Sequence, residues 1–78
     1  MNSRETLLEM AQRHVVEGEA RVAHQAAVVA HLARDGRSTV KADALLASLK
    51  GTLSLMCEVL ARERLREAQV RQRWARRW

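Results

Sequence analysis

Apolar and small residues recur at alternating three- and four-residue steps along most of this chain, and the rhythm is interrupted once. Leu8, Ala11, Val15, Gly18, Val22, Gln25, Val29 and Leu32 form a first series, and Ala42, Leu46, Leu49, Leu53, Met56 and Leu60 a second. Steps of three and four keep successive positions on one stripe of an α-helix, and a stripe held over three heptads or more argues for coiled-coil-like packing along it. The interruption is Asp35-Gly36-Arg37-Ser38. Gly36 can take the left-handed conformation that closes a helix, Arg34 places a cation at the negative end of the dipole, and Ser38 is a candidate N-cap for a second helix. A capping box would want Glu or Gln at Lys41, so only half of that signature is present. The pattern predicts an all-α fold: a helix over about 4–34, a turn at 35–38 and a helix over about 39–75. Joined by so few residues, the two must lie antiparallel as a helical hairpin.

Folding the chain back at Gly36–Arg37 sets residues whose numbers sum to about 74 opposite one another. Leu32 then faces Ala42, Val29 faces Leu45 and Leu46, and Gln25 faces Leu49. Val22 falls against Leu53, Gly18 against Met56, and Val15 against Leu60. The two series are mutually consistent, and a small Gly18 opposite a flexible Met56 is a reasonable large–small pairing. Gln25, polar within an apolar seam, would fix register through a hydrogen bond. Leu45, Leu55, Cys57 and Val59 flank the second seam. At the start of the chain Asn2 or Ser3 is the expected cap, with the helix beginning at Ser3 or Arg4 and Glu5 favourably placed near its positive end.

The back of the first helix is less polar than a solvated surface. Val16, Ala20, Ala23, Ala27 and Ala30 make a second stripe, and a helix apolar on two faces usually touches two neighbours. One neighbour is the other arm of the hairpin; the other would come from a second chain. The length, 78 residues, points the same way. Two helices side by side bury a seam rather than a core, and so short a chain has trouble offsetting an ordering cost of about 1.5 kcal/mol per residue. A homodimer forming a four-helix bundle is the expected assembly, with Val15, Val16, Gly18, Ala20, Val22, Ala23, Ala27, Val29, Ala30, Leu46, Leu49, Leu53, Met56 and Leu60 assigned to it.

Composition narrows the chemistry. There is no Pro, Tyr or Phe, and strand-like alternation is absent from the sequence. A single cysteine, Cys57, excludes an intramolecular disulfide and fits a reducing, cytoplasmic setting; it reads as a small buried apolar residue. No signal peptide is evident. The longest weakly polar stretch, Ala20–Ala33, is broken by Arg21, His24, Gln25 and His31, so no transmembrane segment is expected in the chain. His24 and His31, seven residues apart, stand about 10 Å apart along a helix axis, too far to share one ion, so neither metal nor cofactor is expected. His14 has no better partner. Glu5, Glu9, Glu58, Glu63 and Glu67 read as partners for arginines one turn away. No catalytic constellation emerges, and the chain is expected not to be an enzyme.

Past Leu60 the character changes. Residues 62–78 hold seven arginines and two glutamates, which accounts for the whole formal charge of +5, because residues 1–61 balance. Val70, Trp74 and Trp78 recur at four-residue spacing among Arg71, Arg73, Arg76 and Arg77, and positions beyond about Arg71 have no counterpart in the first helix. Arginine and tryptophan are enriched where proteins grip partners, and both also suit phosphate contacts and membrane interfaces. Val70, Arg71, Arg73, Trp74, Arg77 and Trp78 are therefore the candidate partner contacts. Contact with a protein partner or with the other subunit is the first reading. Nucleic acid is the alternative, though no DNA-reading motif accompanies the charge, and an anionic membrane surface is the second alternative.

The run His14-Val-Val-Glu17-Gly18-Glu19, followed by Gln25, Arg34-Asp35-Gly36, Ala44-Leu45-Leu46 and Leu53-Ser54-Leu55, resembles a group of small uncharacterised helical-hairpin proteins common in alphaproteobacteria. They share the approximate pattern H-x-x-E-G-E…Q…L-x-x-x-G…A-x-x-L-L. The likeness covers roughly residues 14–60 and is moderately specific. It implies a bacterial helical hairpin with no known activity. Lys41 stands where the group often has an acidic residue, and the arginine-tryptophan end lies outside the likeness. The expected role is a self-associating protein-binding or scaffolding module.

Overall fold

The computed structural model describes residues 5–77. It is a hairpin of two helices, α1 over Leu7–Arg34 and α2 over Val40–Arg77, packed against each other along their length. At 1.5 Å per residue the helices run about 42 and 57 Å, which sets the elongated outline of 65 × 22 × 14 Å.

Each end of α1 is fixed by local chemistry. Its cap is Thr6, in extended conformation, whose hydroxyl accepts from the Glu9 N–H at 3.1 Å while the Glu9 carboxylate accepts from the Thr6 N–H at 3.2 Å. This is a complete capping box. The helix thus begins three residues later than the pattern of apolar positions implies. Asn2, Ser3 and Arg4 lie outside the described residues, and Glu5 precedes the cap instead of sitting in the first turn. Arg13 holds Glu5 down through two parallel bonds of 3.0 Å and reaches Glu17 at 3.1 Å. At the other end Gly36 sits at φ 68°. The Arg37 N–H donates to the Leu32 carbonyl at 2.9 Å and the Gly36 N–H to the Ala33 carbonyl at 3.1 Å, the paired bonds of a Schellman closure. At the start of α2 the Ser38 hydroxyl accepts from the Val40 N–H at 3.4 Å. Thr39 stands in the capping position itself, its carbonyl accepting from the Asp43 N–H at 2.7 Å and its hydroxyl donating to the Asp43 carboxylate at 2.8 Å.

Every member of the two heptad series is buried or half-buried. Gly18 lies against the other arm so closely that a β-carbon there would come within 3.1 Å of both Leu53 Cδ1 and Met56 Sδ. Gln25, 8% exposed, donates from Nε2 to the Ala42 carbonyl at 3.0 Å. That carbonyl also serves the α2 ladder, so the amide pins the register of the two arms without breaking a helical bond. The fully buried part is small. Among the described residues only Ala11 and Leu60 are buried apolar side chains. Cys57 departs from its expected place. It is exposed, because it lies to one side of the seam line through Met56 and Leu60 and α1 covers only that line.

Candidate functional site

Two regions of the surface stand apart from the packed seam. The first is the basic end. Thr6, Leu7 and Leu8 line a groove with Glu63, Arg66, Glu67, Val70 and Arg71, so α1 gives out level with Arg71. Residues 72–77 continue as helix with no arm beside them, and all are exposed. Arg71 is tied back to Glu67 at 3.3 Å. Beyond it Val70, Arg73, Trp74, Arg76 and Arg77 surround an open depression of about 390 Å³. The Arg77 guanidinium lies 5.9 Å from the centre of the Trp74 ring, inside cation–π range, and Trp74 is 56% exposed. Of the six residues assigned to partner contact, Arg73, Trp74 and Arg77 lie on this projecting arm, and Val70 and Arg71 lie at its root beside Leu7 and Leu8. Trp78 lies outside the described residues.

The second region is a groove along one side of the hairpin. Near the turn it is lined by Ala20, Arg21, His24 and Gln25 of α1 with Leu45 and Leu49 of α2. In the middle it passes Ala11 and His14 with Thr52, Leu55, Met56 and Val59, and the groove at Leu7 and Val70 continues it to the open end. Leu45, Thr52, Val59 and Arg66 repeat every seven residues, which is why these hollows fall on one face of α2. Leu45, Leu55, Val59 and Val70 are all large apolar side chains left exposed. The seam pattern alone misses this face. Its signal in the sequence is Leu45, Leu55 and Val59 beside the seam, one step round the helix.

The residues assigned to assembly divide in two. Val15, Gly18, Val22, Val29, Leu46, Leu49, Leu53, Met56 and Leu60 are engaged between the arms of one chain. Val16, Ala20, Ala23, Ala27 and Ala30 are exposed on the back of α1. The three histidines do not converge. His31 pairs with Asp35 at 3.3 Å, His14 faces the groove, and among the described residues no three His, Cys, Asp or Glu side chains come together. The helix long and apolar enough to cross a membrane, by length and composition, is α2 and not the weakly polar stretch 20–33 of α1. Its apolar stretch Ala44–Ala61 contains Lys50 and Glu58. Each would cost about 2.5–3.5 kcal/mol at a bilayer centre.

No family model, curated protein or solved structure matches the chain.

Proposed function

We propose that this chain is a non-enzymatic binding module: a helical hairpin that self-associates, in the simplest case as a two-fold dimer forming a four-helix bundle, and presents its arginine-tryptophan arm to a protein partner. The observation that carries the first half is the small core beside a large total surface: among the described residues only Ala11 and Leu60 are buried apolar side chains. A folded chain of 8.9 kDa ordinarily exposes about 4,800 Å², and this one exposes 6507 Å². The excess, roughly 1,700 Å² per chain, is the size that obligate homodimers hide. The second half is supported by the arm itself. An exposed Trp74 flanked by Arg73, Arg76 and Arg77 has the composition of an interface hot spot and no task within the hairpin.

The same stacked Arg77 and Trp74 would suit a nucleic-acid strand, which offers phosphates and base faces together. Salt separates the two. Contacts made through counterion release weaken steeply as salt rises, by about 10³–10⁵ between 50 and 200 mM for six to ten phosphate contacts, whereas docking through buried tryptophan does not. The deciding experiment is a titration of the full chain with a 20-nucleotide single strand and a matched duplex at three salt concentrations. Absence of binding at low salt leaves the protein-partner reading. Steep salt-dependent binding replaces it with the nucleic-acid one.

A further inference from the structure

We infer that the second copy binds in the groove beside the seam, with the two α2 helices antiparallel across a two-fold axis at Thr52; this rests on the self-association proposed above and adds its face and register. Two features of α2 meet at that residue, and a third favours the face. The first is apolar symmetry. An antiparallel pair centred on Thr52 sets each residue against the one equally far from Thr52 in the other copy. Leu45 then meets Val59, and Leu49 meets Leu55. Leu45, Leu55 and Val59 are large apolar side chains left exposed by the hairpin, Leu55 at 62%, and each would find an apolar partner. All four of these positions are apolar and three of them lie outside the seam that folds the chain, while the same register sets Ser48 against Met56.

The second feature is charge. Lys41 lies eleven residues before Thr52 and Glu63 eleven residues after it. The same register therefore brings Lys41 of each copy opposite Glu63 of the other, twice per dimer. Lys41 is exposed, makes no ion pair within the chain among the described residues, and begins the line that runs through Ser48, Thr52 and Val59. Glu63 is half-buried at the open end of the groove, beside Leu7 and Arg66. An isologous interface requires this kind of reciprocity, residue i on j and j on i.

The third feature is area, which also decides against the rival face. The back of α1 offers one valine and four alanines. At about 25 cal/mol per Å² of apolar surface, methyl groups alone give a second copy little to gain. The groove offers leucine, valine and methionine from α2 and the flank of α1 at Ala11 and His14. Stacking two hairpins on this side also places α1 against α1, so that all four helices join one bundle.

Cysteine cross-linking reads the register directly. In a Cys57→Ser background, Thr52→Cys places a thiol on the two-fold axis, where the two β-carbons approach disulfide distance. Ala23→Cys does the same for the centre of the alanine stripe. Mild oxidation is expected to convert most of the Thr52→Cys chain to a covalent dimer and to leave Ala23→Cys near background. A second arm swaps charge. Lys41→Glu is expected to raise the dimer Kd on the order of tenfold at low salt. Lys41→Glu with Glu63→Lys should restore it to within about threefold of the parent, which only contact between copies can do, because the two residues lie at opposite ends of the hairpin. A parent chain that stays monomeric in light scattering overturns self-association itself. A dimeric parent in which Ala23→Cys cross-links and Thr52→Cys does not, or in which the double swap gives no rescue, overturns the groove and leaves self-association standing.

Discussion

Three glycines, alike in sequence, should respond to the same substitution in three ways. Gly51 and Gly18 both sit inside helices, where alanine is favoured over glycine by about 1 kcal/mol. A β-carbon at Gly51 meets nothing within 4 Å, so Gly51→Ala should gain that amount in full. At Gly18 the same β-carbon arrives 3.1 Å from Leu53 Cδ1 and from Met56 Sδ. Both are half-buried in the seam, and overpacking such a contact costs about 1–3 kcal/mol. Because the helical gain is common to both sites, the difference between the two variants isolates the crowding. Gly36 has open space around it but stands at φ 68°, where a β-carbon costs about 1–2 kcal/mol. Urea unfolding followed by circular dichroism, at one fixed protein concentration because dimerisation would shift the midpoint, measures all three. The expected order of stability is Gly51→Ala above the parent, Gly18→Ala at least about 1 kcal/mol below Gly51→Ala, and Gly36→Ala below the parent. Equal gains at Gly18 and Gly51 would refute the close approach of the arms at Gly18, and with it the register of the hairpin.

Thr6→Ala removes the hydroxyl that caps α1 and should cost about 1 kcal/mol in the same assay, with Thr6→Ser retaining most of it. Gln25→Leu should leave stability within about 1 kcal/mol of the parent and Gln25→Ala should lower it further, since the Ala42 carbonyl keeps its helical partner and only the alanine leaves a gap. Glu5 is held below its ordinary carboxylate value, chiefly by the hydrogen bonds from Arg13, with burial opposing. Its pairing therefore stabilises the start of α1 above an unfolded value of 4.5 and is lost as pH falls through the lower, folded value; Glu5→Gln should flatten the pH dependence of stability in that acidic window and leave it unchanged near neutrality. Ending the chain after Arg71 removes helix that touches no neighbouring arm, so the unfolding free energy should move by no more than about 0.5 kcal/mol.

The hairpin is legible in the sequence because one rule governs it. Alternating three- and four-residue steps determine a stripe, Gly36 breaks the stripe once, and folding the chain back there gives the two stripes one register. Gly18 against Met56 and Gln25 within the seam follow from that register alone. The start of α1 is harder to place, although Thr6-x-x-Glu9 stands in the sequence. A capping box is a pair of side chains and not a period, and Asn2 and Ser3 offer equally acceptable hydroxyl or amide caps nearer the terminus. Residue type alone puts Cys57 in the interior. Its burial depends on how far α1 reaches around α2, and a two-helix seam covers a narrow line. The same narrowness hides the groove. Leu45, Leu55 and Val59 read as extensions of the seam, and only the packed arms reveal that α1 leaves them open.

Absolute mass in solution decides whether the hairpins pair. Light scattering behind a sizing column, over a tenfold range of concentration, should give twice the 8.9 kDa of one chain, both for the full sequence and for a chain ending after Arg71. The excess exposed surface would then be accounted for by assembly of the hairpins, leaving the arginine-tryptophan arm free for its partner. A mass of one chain across the whole range would contradict self-association, and a dimer lost on truncation would move the arm from the partner surface into the bundle.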